Sequence, residues 1–91
     1  MSDIVTGRDD IKITAEDTDV LKMSETRKTF VRAIVQCPST NNGTVNVGGA
    51  STPCLELVAG ASEKFFNGDL QNLYYEADTS GDKVNIHYEY N

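Results

Sequence analysis

From residue 30 to residue 90 apolar and polar residues alternate, and each alternating run ends in a turn rich in Gly, Asn, Asp or Ser. A period of two is that of a half-buried strand. The clearest runs are 73–77 and 84–90, separated by Thr79-Ser80-Gly81-Asp82. A two-residue loop at Ser80-Gly81 predicts a hairpin pairing Ala77 with Val84, Tyr75 with Ile86 and Leu73 with Tyr88 on an inward face. Its outward face would set Asp78 against Lys83, Glu76 against Asn85 and Tyr74 against His87. Apolar meets apolar and opposite charges meet in this register, and a one-residue slip destroys both.

Upstream, residues 30–37 read as a central strand ended by Pro38, which lacks a backbone donor. Residues 44–47 and 54–58 follow as short strands, then 62–66, with a turn expected at 67–69. In residues 1–28, Ile11-Lys12-Ile13-Thr14 reads as a short edge strand and residues 20–23 as an extended segment. The first eight or so residues read as an arm that either frays or orders on a neighbouring subunit. The fold class expected is all-β: one small β-sandwich or barrel of antiparallel strands with an extended N-terminal arm. Residues 1–28 form the arm and edge segment, and residues 29–91 the sandwich domain.

Composition narrows the function. Ninety-one residues make one domain, and a chain this short buries only about 60% of its unfolded surface. With 38% hydrophobic residues and no Trp, such a core favours oligomerisation or docking on a partner. The net charge is −6, from 14 acidic and 8 basic side chains. No basic patch exists to neutralise phosphates, so nucleic acid is not expected as a partner, nor an anionic membrane. No basic and apolar leader opens the sequence, so synthesis in a cytoplasm is expected. Cys37 and Cys54 are expected as free thiols in that compartment.

No constellation points to chemistry. Gly43 and Gly48-Gly49 lack the following helix of a phosphate loop. Residues 78–82 lack the alternating ligands of a calcium loop and read as a turn. His87, on an outward strand face, has no nucleophile beside it; a contact there would gain a mild pH dependence. The reading is a non-enzyme with no cofactor and no metal. Tyr75 and Tyr88 are expected in the core, Tyr74 and Tyr90 at an interface.

The succession from residue 30 onward resembles a family as a whole rather than by one motif. A strand ends near Pro38, and Asn42-Gly43-Thr44-Val45-Asn46-Val47-Gly48-Gly49 follows. Then come a Ser/Thr-rich loop, Leu55, Leu57, Gly60 and Ser62, an apolar strand, Asn72-Leu73-Tyr74-Tyr75 with Ala77, and Gly81-Asp82-Lys83-Val84. This order resembles the small all-β virion proteins of tailed bacteriophages, the head decoration or cement proteins; Cys54 and Lys64-Phe65-Phe66 depart from it. The resemblance implies an accessory protein in the virion, bound to the major capsid protein on the outer surface of the mature head. There it would stabilise the shell by bridging capsomers, as a homo-oligomer with a trimer expected first. The contact residues expected are Ile4, Val5, Ile11, Ile13 and Leu21 in the arm, with Tyr74 and Tyr90. A fibre, neck or baseplate component, or a carbohydrate-binding module for host attachment, is the alternative.

Overall fold

The computed structural model describes residues 5–49 and 52–91. It holds eight strands: β1 (Gly7–Thr14), β2 (Val20–Lys22), β3 (Thr29–Gln36), β4 (Val45–Gly48), β5 (Leu55–Leu57), β6 (Ser62–Asp69), β7 (Tyr74–Ala77) and β8 (Lys83–Tyr90). One 3-10 turn, Leu70–Asn72, precedes β7. The strands pair in nested order, all antiparallel: β4 with β5, β3 with β6, β2 with β7 and β1 with β8. The chain is therefore one long hairpin ribbon with its tip between β4 and β5. Folding that ribbon across itself adds the β3–β8 and β4–β7 pairs. Two four-stranded sheets result, β1-β8-β3-β6 and β2-β7-β4-β5. Two antiparallel sheets wound from one folded ribbon are the jelly-roll arrangement.

Alternation decides what faces inward. Ala33 and Val35 of β3 and Val84, Ile86 and Tyr88 of β8 project from the first sheet. Val45 and Val47 of β4 and Tyr75 and Ala77 of β7 project from the second, and Leu57, Leu70, Leu73 and Met23 complete the cluster. The two sheets thus share one core.

Three expectations are corrected. β7 and β8 do not form a hairpin. They lie in different sheets, so neither the inward pairs nor Asp78–Lys83, Glu76–Asn85 and Tyr74–His87 form. The inward residues themselves are as expected, because facing sheets and paired strands bury the same parity of side chains. Local bonds explain the divergence: besides its own bond from Asp82 N–H to the Thr79 carbonyl at 3.2 Å, the 78–82 connection is tied to two other segments, the β3–β4 loop and Ala15. Asp78 N–H donates to the Thr44 carbonyl at 2.9 Å and Gly81 N–H to that of Ala15 at 2.6 Å. The Asp82 carboxylate accepts the N–H groups of Asn42 and Gly43 at 2.9 and 2.8 Å.

The second correction concerns residues 7–28. The edge strand expected at 11–14 and the extended segment at 20–23 are present, as β1 paired to β8 from Gly7 to Thr14 and β2 paired to β7; what changes is that Gly7 and Arg8, read as arm, already belong to β1. Ile11 and Ile13 pack against the core. They are not arm side chains held out for a partner.

The third concerns 67–69, which continues β6 rather than ending it. Asn67 has a φ of 53°, and the β3–β6 ladder skips Val31 and Asn67. On one side of this point Cys37 N–H bonds Ala61, an odd-numbered pair; on the other Leu70 N–H bonds Lys28, an even-numbered one. The bonding parity therefore flips at Asn67. Phe30, which alternation would place outward beside Arg32 and Ile34, is turned into the core. Its ring takes the space left by Gly68, where an added Cβ would lie 2.9 Å from the Phe30 Cζ.

Candidate functional site

The outer face of the first sheet carries a linked set of charged side chains. Strand registers lay it out in rows across β1, β8, β3 and β6. One row is Arg8, Glu89, Arg32 and Phe66; the next is Asp10, His87, Ile34 and Lys64; the third is Lys12, Asn85, Gln36 and Ser62. A groove of about 350 Å³ runs along the second and third rows, lined by Asp10, Lys12, Ile34, Gln36, Asn85 and His87 among others.

His87 is the hub. Its Nδ1 lies 2.8 Å from Asp10 Oδ1 and its Nε2 lies 3.5 Å from Glu89 Oε2. Glu89 Oε2 also accepts from Arg32 Nη2 at 2.9 Å. The Glu89 side chain is the most enclosed of the four at 13% exposure, whereas Asp10 is 72% exposed. With Arg32 itself 40% exposed, solvent screens this pair. The Arg32 Nε is buried without a partner among the described residues. The arrangement presents hydrogen-bond donors and acceptors along the groove; among its lining residues the one hydroxyl is that of Ser62, on the far strand.

The outer face of the second sheet is different in character. Val20, Glu76, Asn46 and Glu56 form one row across it. Glu76, Asn46 and Glu56 of this row, with Thr18, Thr44 and Asp78, line an acidic cleft of about 360 Å³. Asn46 Oδ1 is buried there without a partner among the described residues.

The expected contact residues separate into two groups. Ile4 lies outside the described residues. Val5 is exposed ahead of β1, and Tyr90 ends β8 next to it, its carbonyl accepting the Thr6 N–H at 2.8 Å. Tyr90 sits 5.7 Å from Tyr88, ring centre to ring centre, and fills the space above Gly7. Ile11 and Ile13 face the core from the same strand. Leu21 is exposed on β2, and Tyr74 is half-buried on β7 in the other sheet. Sequence reasoning missed Asp10, Glu89 and Arg32, whose link to His87 depends on which strands flank β8. It also missed Phe66, the most exposed large apolar residue among the described residues, at 63%. Cys37 is buried and Cys54 exposed, and neither forms a disulfide.

Among the described residues, four groups are moved from their ordinary pKa by their surroundings. The N–H groups of Gln71 and Lys28 donate to Asp69, each at 2.9 Å, and hold its carboxyl below the usual range, with Arg27 adding to this and burial opposing it. The Arg32 hydrogen bond does the same for Glu89, again against burial, with His87 assisting. Burial pushes the Tyr75 and Tyr88 phenols up, as do acids nearby, Asp17 and Glu16 for the first and Asp9 for the second. The carboxylates hold protons less tightly when folded. They stabilise the fold above the usual carboxylate range, and this is lost as pH falls through their lowered values. The phenols act in the opposite sense: their contribution is present below the usual phenol range and lost as pH rises through the raised values. The thermal midpoint is therefore expected to be flat near neutrality and to fall on both sides. Circular-dichroism melts across pH check this, and a midpoint rising below about pH 4 contradicts it.

No family model and no curated protein matches the chain. Among solved structures it is similar to a de novo designed double-stranded β-helix determined by solution NMR, with 20% identity and a TM-score of 0.43. The similarity covers 92% of this chain and 99% of that one.

Proposed function

We propose that this protein is a non-enzymatic virion component, a decoration protein that binds the major capsid protein on the outside of a tailed-phage head. The observation that carries the reading is the jelly roll itself, a small two-sheet module of the architecture that viral capsid and lectin domains use. This is an analogy at the level of fold, joined to the succession of turns and strands noted in the sequence. Binding only the mature lattice would stabilise that state by mass action, with a homo-oligomer bridging capsomers. Exposed Val5, Leu21 and Tyr90, with Ile4 ahead of them, are the contact residues in this reading, and Phe66 joins them.

Quantitative mass spectrometry of purified virions tests it. Copy number matching the repeated lattice sites is expected. A small number per particle supports a fibre, neck or baseplate position instead, and absence from the particle removes both. A carbohydrate-binding module for host attachment is the second reading. It is favoured by the hydrogen-bonding side chains Asn85, Gln36, Asp10 and His87 along the first-sheet groove. A glycan array without binding counts against it.

A further inference from the structure

We infer that β1 is a self-association edge, and that two copies of this chain pair their β1 strands antiparallel about a two-fold axis at Ile11. Four strands border the two sheets. β2 and β5 are three residues each, too short to template a ladder. β6 is long, but its bonding parity flips at Asn67, which breaks its outer edge as bulges commonly do. β1 is eight residues long, and its register with β8 runs unbroken from Gly7 to Thr14.

The backbone of β1 is poised for this. Ala15 N–H bonds the Asp82 carbonyl one step beyond the Thr14–Lys83 pair. Hydrogen-bonded pairs alternate along an antiparallel ladder, so Ile13, Ile11, Asp9 and Gly7 make the bonds to β8. Arg8, Asp10, Lys12 and Thr14 therefore aim their N–H and C=O groups away from β8, at an edge with no partner among the described residues.

Side-chain charge selects the occupant and the register. A strand placed against its own copy about an axis at Asp10 sets Asp10 on Asp10 and Arg8 on Lys12. An axis at Lys12 sets Lys12 on Lys12, and one at Asp9 opposes Arg8 to Asp10 twice but sets Asp9 on itself and overlaps only residues 7–11 of the strand. An axis at Ile11 opposes Asp10 to Lys12 twice, Arg8 to Thr14 twice, and Ile11 to itself. Directly opposed residues of opposite charge stabilise a ladder and like charges destabilise it. In that register the four outward-aimed residues face one another and satisfy each other's backbone groups. Edge charges ordinarily repel a second strand; here their alternating signs make the strand complementary to itself. The pairing closes after two copies, so it gives a dimer and one continuous eight-stranded sheet. It also brings Lys12 of the second copy beside Asp10 and His87, extending the first-sheet groove across the seam.

Sedimentation of the full chain tests the inference. The wild-type protein is expected to sediment as two chains. Asp10→Lys and Lys12→Asp should each weaken association at least tenfold, and the double swap D10K/K12D should restore it. Lys12→Pro is a second probe, since it removes an N–H that a single copy leaves unbonded. It should abolish association while the far-UV spectrum and melting cooperativity stay native. A single-chain mass up to about 1 mM overturns the inference. So does association that survives Lys12→Pro, or a folded double swap that stays dissociated.

Discussion

Replacing Asp82 by alanine is expected to lower the thermal midpoint by about 15 °C, equivalent to roughly 3 kcal/mol. The side chain belongs to a residue only 4% exposed, and both its oxygens are occupied by backbone N–H groups from the loop between β3 and β4. Removing them leaves two part-buried backbone donors without their acceptor, the costly half of losing a hydrogen bond. The damage would not stay in one loop. Asn41 of the same loop imitates a strand, accepting Lys83 N–H at 2.8 Å and donating to the Lys83 carbonyl at 2.7 Å. The 78–82 connection in turn holds Ala15 through bonds of 2.8 and 2.6 Å. Three connections, its own included, therefore meet at Asp82, one through the carboxylate and one through the backbone. Asp82→Asn, which keeps one acceptor oxygen, should lose about half as much. Thermal melts of the two variants check the order. Equal and small losses would show that the loops hold each other without the carboxylate.

That same carboxylate explains why the sequence could be read only so far. Period-two alternation is a local property, so strands and their inward faces are visible residue by residue: Val35, Val45, Tyr75, Ile86 and Tyr88 are all in the core. Pairing is not local. Ala77 and Val84, or Tyr75 and Ile86, point inward whether their strands adjoin in one sheet or face each other across two. What decides between these is a bond from Asp82 to Asn42 and Gly43, about forty positions away, and an Asp in a turn signals nothing about that distance. The outer-face site inherits this. With β7 assumed beside β8, His87 would neighbour Tyr74; with β1 and β3 beside it, His87 meets Asp10 and Ile34. Phe30 marks another limit. Its inward turn follows from the left-handed Asn67 on the opposing strand, and Asn67-Gly68 by itself reads equally as a turn.

Ile86→Ala is expected to cost about 4 kcal/mol, close to the full margin of a domain this small. Ile86 is 1% exposed on β8, which is flanked on both sides by β1 and β3, so the shell around it has little freedom to collapse into the space. Ile34 provides the control within the same sheet. It stands on β3 beside His87 and Lys64 but on the outer face, half-buried, and Ile34→Ala should cost about 1 kcal/mol. Urea titration of both variants measures the difference, with unchanged slope showing that each change acts on the folded state. The comparison also reads the surface: the first value depends on the packing of two sheets, the second on what lies over one of them. A large loss at Ile86 with a small one at Ile34 is the signature of an outer face open to solvent in the dilute chain. Equal losses would mean that Ile34 is as enclosed as Ile86 in solution, and that the groove around His87 is covered by another molecule.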